Sequence, residues 1–459
     1  MAQGVEHIGK KDVAWSYAAT VMMVGAGLIL LPFILHSMSA EAVGIWQLFQ
    51  TITMLVTLLD FGFRPTFARN ISYIFAGVKE LRKEGVAAVE QNTRQDIEPD
   101  YSLLKATIGA MRRFYRWIAL SVLAILLTAG TAYMLFILGK YTGDRTDALI
   151  AWVLLITINS YNLYTLYYDA LVQGKGYVKR TQQIMIVGQL LYLVAAVGMI
   201  YAGWGLSAIV SAQLLSTLVR RFLMKRVFFD KQMREHLAQV DSNRDEKELL
   251  AVMSPNAIKI GLTQLGGFLI NKSSMFLGSI FLTLQEIGCY GVTMQVLDIL
   301  VHGGMVYCMA FQPKLAEYRA TNNILQLRQK YIFSVLFLIG TMLFGGLIWV
   351  LWGNEVLAFI GSETRFVGTA MLSTMILIRW LEQNHATAAF FIMADNKIPF
   401  FIPSLVSGAA TIVLLVIGLW GLHGGLWAMI LAPGIAQLAY QNWKWPSVII
   451  KELWFKQSQ

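Results

Sequence analysis

The sequence predicts an all-α membrane protein of twelve transmembrane helices, arranged as two pseudo-symmetric six-helix bundles with both termini cytoplasmic. Three observations predict it. Hydrophobic residues make up 56% of the 459-residue chain and charged residues only 14%, where ordinary soluble domains run about 25% charged. Apolar runs of membrane-crossing length recur from end to end. Basic residues collect on alternate connections between those runs.

A single soluble core cannot absorb this excess, because cores stop growing near roughly 250–300 residues and longer chains divide into domains joined by polar linkers. The mean hydropathy of +0.57 also argues against intrinsic disorder and against a cytosolic nucleic-acid binder. Cys289 and Cys308 fall in one apolar segment, so no disulfide scaffold is expected.

A bilayer core about 30 Å thick takes roughly 20 apolar residues per helix, since no water there can satisfy backbone groups. Twelve runs reach that length, at 13–35, 43–64, 117–138, 148–172, 184–202, 206–223, 258–282, 287–311, 331–352, 367–391, 400–420 and 421–440. The first exceeds the apolar core of a signal peptide, despite the small residues Ala40 and Ala42 beyond it, and reads as an uncleaved helix.

Lys and Arg are retained on the cytoplasmic side during insertion. With the N-terminus inside, the outer loops hold only Lys140, Arg145 and Arg365, while Arg64, Lys259, Lys272 and Arg379 lie within or at the rim of spans. All the other basic residues then face the cytoplasm. Two inner connections are long, 69–116 and 220–250. Their mixed acids and bases predict solvated, partly helical linkers. The second separates a bundle at 1–224 from one at 251–459, with the linker at 225–250.

The two halves can be laid beside one another. "AVGIWQLFQ" enters the second span and "EIGCYGVTMQ" the eighth, matching Gly44 with Gly288 and Trp46 with Tyr290; Pro65 and Pro313 close these spans at similar distances. "GWGLSAIVSAQLL" around Trp204 resembles "GLWGLHGGLWAMIL" around Trp420. In the same order and orientation, these matches suggest a parallel repeat. Transporters built from repeats place substrate where the halves meet and alternate access by rocking.

Polar groups in hydrocarbon are costly, so their spacing marks the face that avoids lipid. In the seventh span Asn256, Lys259, Thr263, Gly267, Asn271, Ser274 and Gly278 recur at steps of three or four, with Lys272 beside them far from either flank. Close packing through small residues explains the glycines. It does not explain a mid-span lysine, so a functional cavity is expected on this face. The second span carries Gln47, Gln50, Thr53, Thr57, Asp60 and Arg64; the last two form an i, i+4 pair that could equally anchor a helix end.

In the eighth span Gly291, Gln295, Asp298 and His302 form a similar stripe. A mid-bilayer carboxylate wants a cation, and Lys272 on the preceding helix is the expected partner of Asp298. Arg379 and Glu382, three apart in the tenth span, are expected to pair locally, ahead of Gln383 and His385. Asp169, beyond "YNLYTLYY", has tyrosines around it that read as an interfacial aromatic belt before a sugar platform. The sequon at Asn271-Lys272-Ser273 is intramembrane and therefore spurious. The sequence contains no P-loop, no His-Glu-x-x-His and no Gly-x-Ser-x-Gly, so neither nucleotide hydrolysis nor these hydrolase chemistries are expected of it.

Together with the twelve spans, the strings "LLDFGFRPTFARNI" and "NKSSMFLGSIFLTLQEIGCYGV" resemble the polysaccharide-exporting, O-antigen flippase type of the multidrug/oligosaccharidyl-lipid/polysaccharide (MOP) exporter superfamily. Leu59, Asp60 and Gly62 match a Leu-Asp-x-Gly turn common at the end of that family's second span. Lys272, Leu277 and Gly278 match the family's seventh span, although Asn271 stands where an Asp is frequent.

The resemblance implies transfer of an undecaprenyl-diphosphate-linked oligosaccharide from the inner to the outer leaflet of a bacterial inner membrane by alternating access, with membrane lipids and polysaccharide assembly proteins as further partners and no nucleic acid. A diphosphate head asks for cations, which Lys272, Lys259 and Arg64 offer. A glycan asks for amides, which Asn271, Gln264 and Gln295 offer. Asp60, Asp298, His302, Arg379 and Glu382 remain as coupling or structural ion pairs. No cofactor is expected, and a proton or sodium gradient is the drive left to such a carrier. One rival is a cation-coupled multidrug exporter of the same superfamily, which favours an acid-lined cavity. The other is a membrane glycan polymerase, for which only Asp298 and His302 approach a catalytic pair.

Overall fold

The computed structural model describes residues 10–81, 99–241, 244–321, 323–394 and 399–455, and among these no strand occurs. Backbone packing divides the chain into two compact units, one of 1–37, 52–139 and 144–261, the other of 38–51, 140–143 and 262–459.

The chain opens with α1 (Lys10–Ser37) and α2 (Ala40–Leu58), then breaks before α3 (Phe63–Phe75). Sequence periodicity predicts one continuous second span here. Two successive left-handed residues, Phe61 at φ 47° and Gly62 at φ 71°, bend the pair by 43° instead. Glycine accepts that conformation at little cost, whereas phenylalanine is strained in it. The Asp60 carboxylate accepts from the Arg64 backbone N–H at 3.2 Å and so holds the first turn of α3. The Leu-Asp-Phe-Gly string is therefore a helix-breaking turn with its own cap.

Unit 1 continues through α4 (Tyr101–Ile125), a π-helical turn (Leu126–Gly130), α5 (Thr131–Leu138), α6 (Arg145–Tyr164), α7 (Tyr167–Gly174), α8 (Val178–Tyr201), α9 (Leu206–Phe228) and the short α10 (Lys231–Gln239). Its last element is the first part of α11 (Glu246–Phe281), which unit 2 takes up from Leu262. Unit 2 goes on with α12 (Leu284–Ala310), α13 (Gln312–Ala320), α14 (Ile324–Phe359), α15 (Thr369–Met393), α16 (Phe401–Val416), a second π-helical turn (Ile417–Gly421), α17 (Gly425–Leu438) and α18 (Gln441–Phe455). It also includes the first part of α2, through Thr51.

Among the described residues eight helices are long and apolar enough to cross a membrane, and the bent α2–α3 pair makes a ninth. The other three expected spans fall on α11, α15 and α17. The first two carry charged and polar residues in mid-helix, and α17 is 14 residues long. Large apolar side chains stay outside, Phe359 at 93% and Phe344 at 71% exposure, as a surface solvated by acyl chains requires. The chain is a multi-pass membrane protein.

The described part of the connection at 230–246 is mostly exposed and partly helical, as expected, and it is also tied to a neighbouring helix. Lys105 donates to the Val240 carbonyl at 2.6 Å, Ser102 to the Asp241 carbonyl, and Arg244 to Asp100, while Tyr101 stacks on His236 at 4.5 Å. The segment is strapped to the first turns of α4. Residues 82–98 of the first long connection lie outside the described residues.

Candidate functional site

Unit 2 gathers four charged side chains from three helices. Lys272 Nζ of α11 lies 3.4 Å from Asp298 Oδ2 of α12, and the other carboxylate oxygen of Asp298 accepts from Arg379 of α15. Arg379 also donates to Glu382 at 2.6 Å and to the Asn271 side-chain oxygen at 2.9 Å. Ions this deep in apolar helices persist only when paired and hydrogen-bonded. The four formal charges cancel.

Burial divides the group. The side chains of Arg379 and Glu382 are each 10% exposed, whereas those of Lys272 and Asp298 keep 23% and 30%. One end is a locked guanidinium–carboxylate pair and the other an ion pair that a ligand can reach. Arg379, Glu382 and Asn271 also line a narrow cleft in this unit, together with Tyr290, Met294 and Met375. Methionine thioethers adapt to irregular shapes.

The Lys272–Asp298 pair expected from the sequence is present. The local Arg379–Glu382 pair is present too, but Arg379 is no mere helix anchor, because it joins α11, α12 and α15. Spacing on a single helix could not reveal those two longer reaches. Asp298 turns to these cations rather than to His302, which is exposed on α12. Gln295 accepts from Gln47 Nε2 of α2 at 2.9 Å, and Gln264 is exposed. Lys259 falls within α11, and its side chain lies outside the described residues.

Unit 1 holds a second charged group. Asp60, 8% exposed, accepts the Tyr115 hydroxyl at 2.6 Å, and Arg64 beyond it is exposed. The expected Asp60–Arg64 relationship thus runs through the Arg64 backbone. Asp169 pairs with Arg221 at 2.6 Å, and Arg221 also donates to Asn162. In the sequence reading Arg220 and Arg221 fall both in the sixth span at 206–223 and in the basic connection at 220–250. The structure places them inside α9, with Arg221 1% exposed. Their signal is present in the sequence: Asp169 has no counter-ion on its own helix, and the polar Asn162 precedes it in the same apolar run. Lys175, also buried, is boxed by the rings of Phe75, Tyr177 and Phe228 and lies 3.9 Å from Asp230.

These features define a polytopic helical membrane protein with charged groups inside each of its units. Among solved structures, the chain is similar to an inward-facing multidrug resistance MATE family transporter of the MOP superfamily, at a TM-score of 0.67 and 14% identity over 96% of each chain. It is similar to the lipid II flippase MurJ in an inward closed conformation, at 0.62 and 12% identity over 96% of this chain and 87% of that one. A third match is the MATE multidrug transporter DinF-BH, at 0.60 and 16% identity over 98% of each chain. The chain has the fold of MOP-superfamily transporters, and these neighbours are transporters rather than enzymes. No protein-family model matches the sequence, and no curated protein matches it.

Proposed function

We propose that this chain moves an undecaprenyl-diphosphate-linked oligosaccharide from the inner to the outer leaflet of a bacterial inner membrane. In this reading twelve spans form two six-helix halves with cytoplasmic termini, and the cycle is alternating access without chemistry on the cargo. The observation that carries it is the Lys272–Asp298 pair, in mid-helix, reachable, and joined to the Arg379 guanidinium. A diphosphate can replace the Asp298 carboxylate on both cations. Such an exchange leaves no unpaired cation in a low-dielectric site, which would cost several kcal/mol, and it makes charge-assisted bonds of the kind phosphates favour.

Asn271 and Gln295 supply amides for a glycan, and Arg64, Lys259 and Gln264 are assigned to the same cargo. The released Asp298 carboxylate takes a proton or a sodium ion, which couples the step to a gradient. Likeness to a lipid II flippase supports the lipid-linked cargo.

A second reading rests on the other half of the same pair. Asp298 at 30% exposure and a methionine-lined cleft suit a cationic, apolar drug, and likeness to MATE transporters supports that cargo equally. Deletion of the gene separates the two. Accumulation of a lipid-linked glycan at the cytoplasmic face, restored to normal by the wild-type chain but not by Lys272→Glu, is expected of the flippase. Unchanged glycan export with heightened drug sensitivity would overturn it in favour of drug export.

A further inference from the structure

Where α12 and α14 pack together in unit 2, a lysine is fixed among aromatic rings with no carboxylate to answer it. Gly304, Tyr307 and Phe311 of α12 are spaced by three and four residues, as are Lys330, Phe333 and Phe337 of α14, so each set lies along one side of its helix. Gly304 lets the helices close, since a Cβ built there would stand 2.7 Å from Leu338 Cδ1. Beyond that contact the two rows meet. The Tyr307 ring lies 4.3 Å from that of Phe333 and 6.3 Å from that of Phe337, and the Lys330 ammonium lies 3.9 Å from the centre of the Phe311 ring.

A lysine near the end of a membrane helix ordinarily swings its charge out to water. Lys330 is held instead: it is half-buried, rests on the Phe311 ring and donates to the Tyr307 hydroxyl at 3.2 Å. A ring face steadies a cation but carries no net charge. Lys175 of unit 1 sits in a comparable aromatic box, yet there Asp230 lies 3.9 Å away. The buried Arg319 and Arg379 likewise have carboxylates. Among the described residues Lys330 forms no ion pair. The Tyr307 hydroxyl accepts from the ammonium and keeps its own proton to donate. A fixed cation and an O–H donor thus stand side by side.

We propose that Lys330 and Tyr307 bind the phosphate of an anionic phospholipid. The ammonium supplies the countercharge and the hydroxyl a second donor, and bonds of this charge-assisted kind are the strong ones. The neighbouring surface suits the rest of the molecule. Phe333, Leu336 and Phe337, on the same stretch of α14, are all exposed, and the two phenylalanine rings lie nearly parallel, at 14°. An acyl chain can run along this strip while the phosphate stays at the lysine. Only a ligand with both an anionic head and an apolar tail uses both parts, so the occupant is a lipid and not a free phosphate. The inference holds for either cargo.

The purified full chain is placed in nanodiscs that hold both phosphatidylglycerol and phosphatidylcholine, and the lipids it retains are identified by native mass spectrometry. The wild type should retain phosphatidylglycerol in preference to phosphatidylcholine. Lys330→Met, which keeps the stem on the rings, should weaken that preference about fivefold, the scale of one basic residue at an anionic headgroup. Lys330→Arg should keep most of it, and Tyr307→Phe, which retains the ring contacts, should lower it by less. Lys451→Met, which removes an exposed lysine of α18, should leave it unchanged. A wild type without the preference overturns the proposal, and so does a Lys330→Met chain that melts and retains phosphatidylglycerol like the wild type. A loss from Lys451→Met as large as that from Lys330→Met overturns it too, because the attraction is then one of general charge. If Lys330→Met melts early, Tyr307→Phe decides in its place: a reduced preference supports the site and an unchanged one overturns it.

Discussion

Gly44 of α2 and Gly288 of α12 meet backbone to backbone: a Cβ built on Gly288 would stand 3.2 Å from the Gly44 nitrogen, and one on Gly44 would stand 3.3 Å from the Gly288 nitrogen. The two glycines that the comparison of the halves matches in sequence are thus also each other's neighbours. Close approach of two helices through small residues gains dispersion contact and admits nothing larger.

Gly44→Leu should therefore force α2 from α12. Overpacking costs about 1–3 kcal/mol, and Gly288→Leu should cost the same. Because both changes break one contact, their effects should not add. Thermal melting of the purified single and double variants measures this, and a melting point equal to wild type would show the contact to be slack.

Asp298 joins two cations, so Asp298→Asn leaves Lys272 and Arg379 short of a carboxylate together. Breaking a wholly buried pair costs about 3–5 kcal/mol. With Asp298 30% exposed, solvent screens part of that, and about 2–3 kcal/mol is expected. Removing the cation as well, in Asp298→Asn with Lys272→Met, should recover part of the loss. Denaturation of the two singles and the double gives the coupling. A double variant as unstable as the sum of the singles would mean that the 3.4 Å pair contributes nothing.

Much of the helical layout was legible because hydropathy acts over about 20 residues and averages out local detail. The repeat strings mark real starts: α9 begins directly after Gly205 and α17 after Gly424, each in the matched glycine-rich sequence. What stayed hidden depended on single residues. The α2–α3 break hangs on Phe61, a residue with no turn propensity, adopting positive φ. Arg221 carries a charge that counts toward a cytoplasmic loop until Asp169, 52 positions away in sequence, is seen to take it. Of the site, the Lys272–Asp298 pair could be read from two stripes on adjacent helices, whereas Arg379 reaches Asp298 across 81 positions, and no period encodes that.

Tyr115 is wholly buried and donates to Asp60 at 2.6 Å. Hydrogen bonds to charged groups contribute about 1.5–3 kcal/mol, so Tyr115→Phe should destabilise unit 1 by that amount while keeping its ring packing. Asp60→Asn keeps an acceptor for the hydroxyl and should cost less. Limited proteolysis across denaturant should rank the two in this order. A milder Tyr115→Phe would place the main hold on Asp60 at the α3 cap.

Asp147, in the first turn of α6, reaches across to the start of α9. Its carboxylate accepts from the Leu206 N–H at 2.6 Å, from the Ser207 N–H at 3.2 Å and from the Ser207 hydroxyl. The free N–H groups of a helix start carry partial positive charge, so a carboxylate there caps them and complements the dipole. Gly205 makes room for it, since a Cβ at that position would lie 2.5 Å from Asp147 Oδ2. Asp147→Ala should cost about 1–2 kcal/mol, the usual loss of a capping side chain. Gly205→Ala should cost a similar amount by pushing the carboxylate off the helix end, and after Asp147→Ala it should cost little more. Melting the two singles and the double checks this. Additive losses would mean that Gly205 is required for its own backbone and not for the cap.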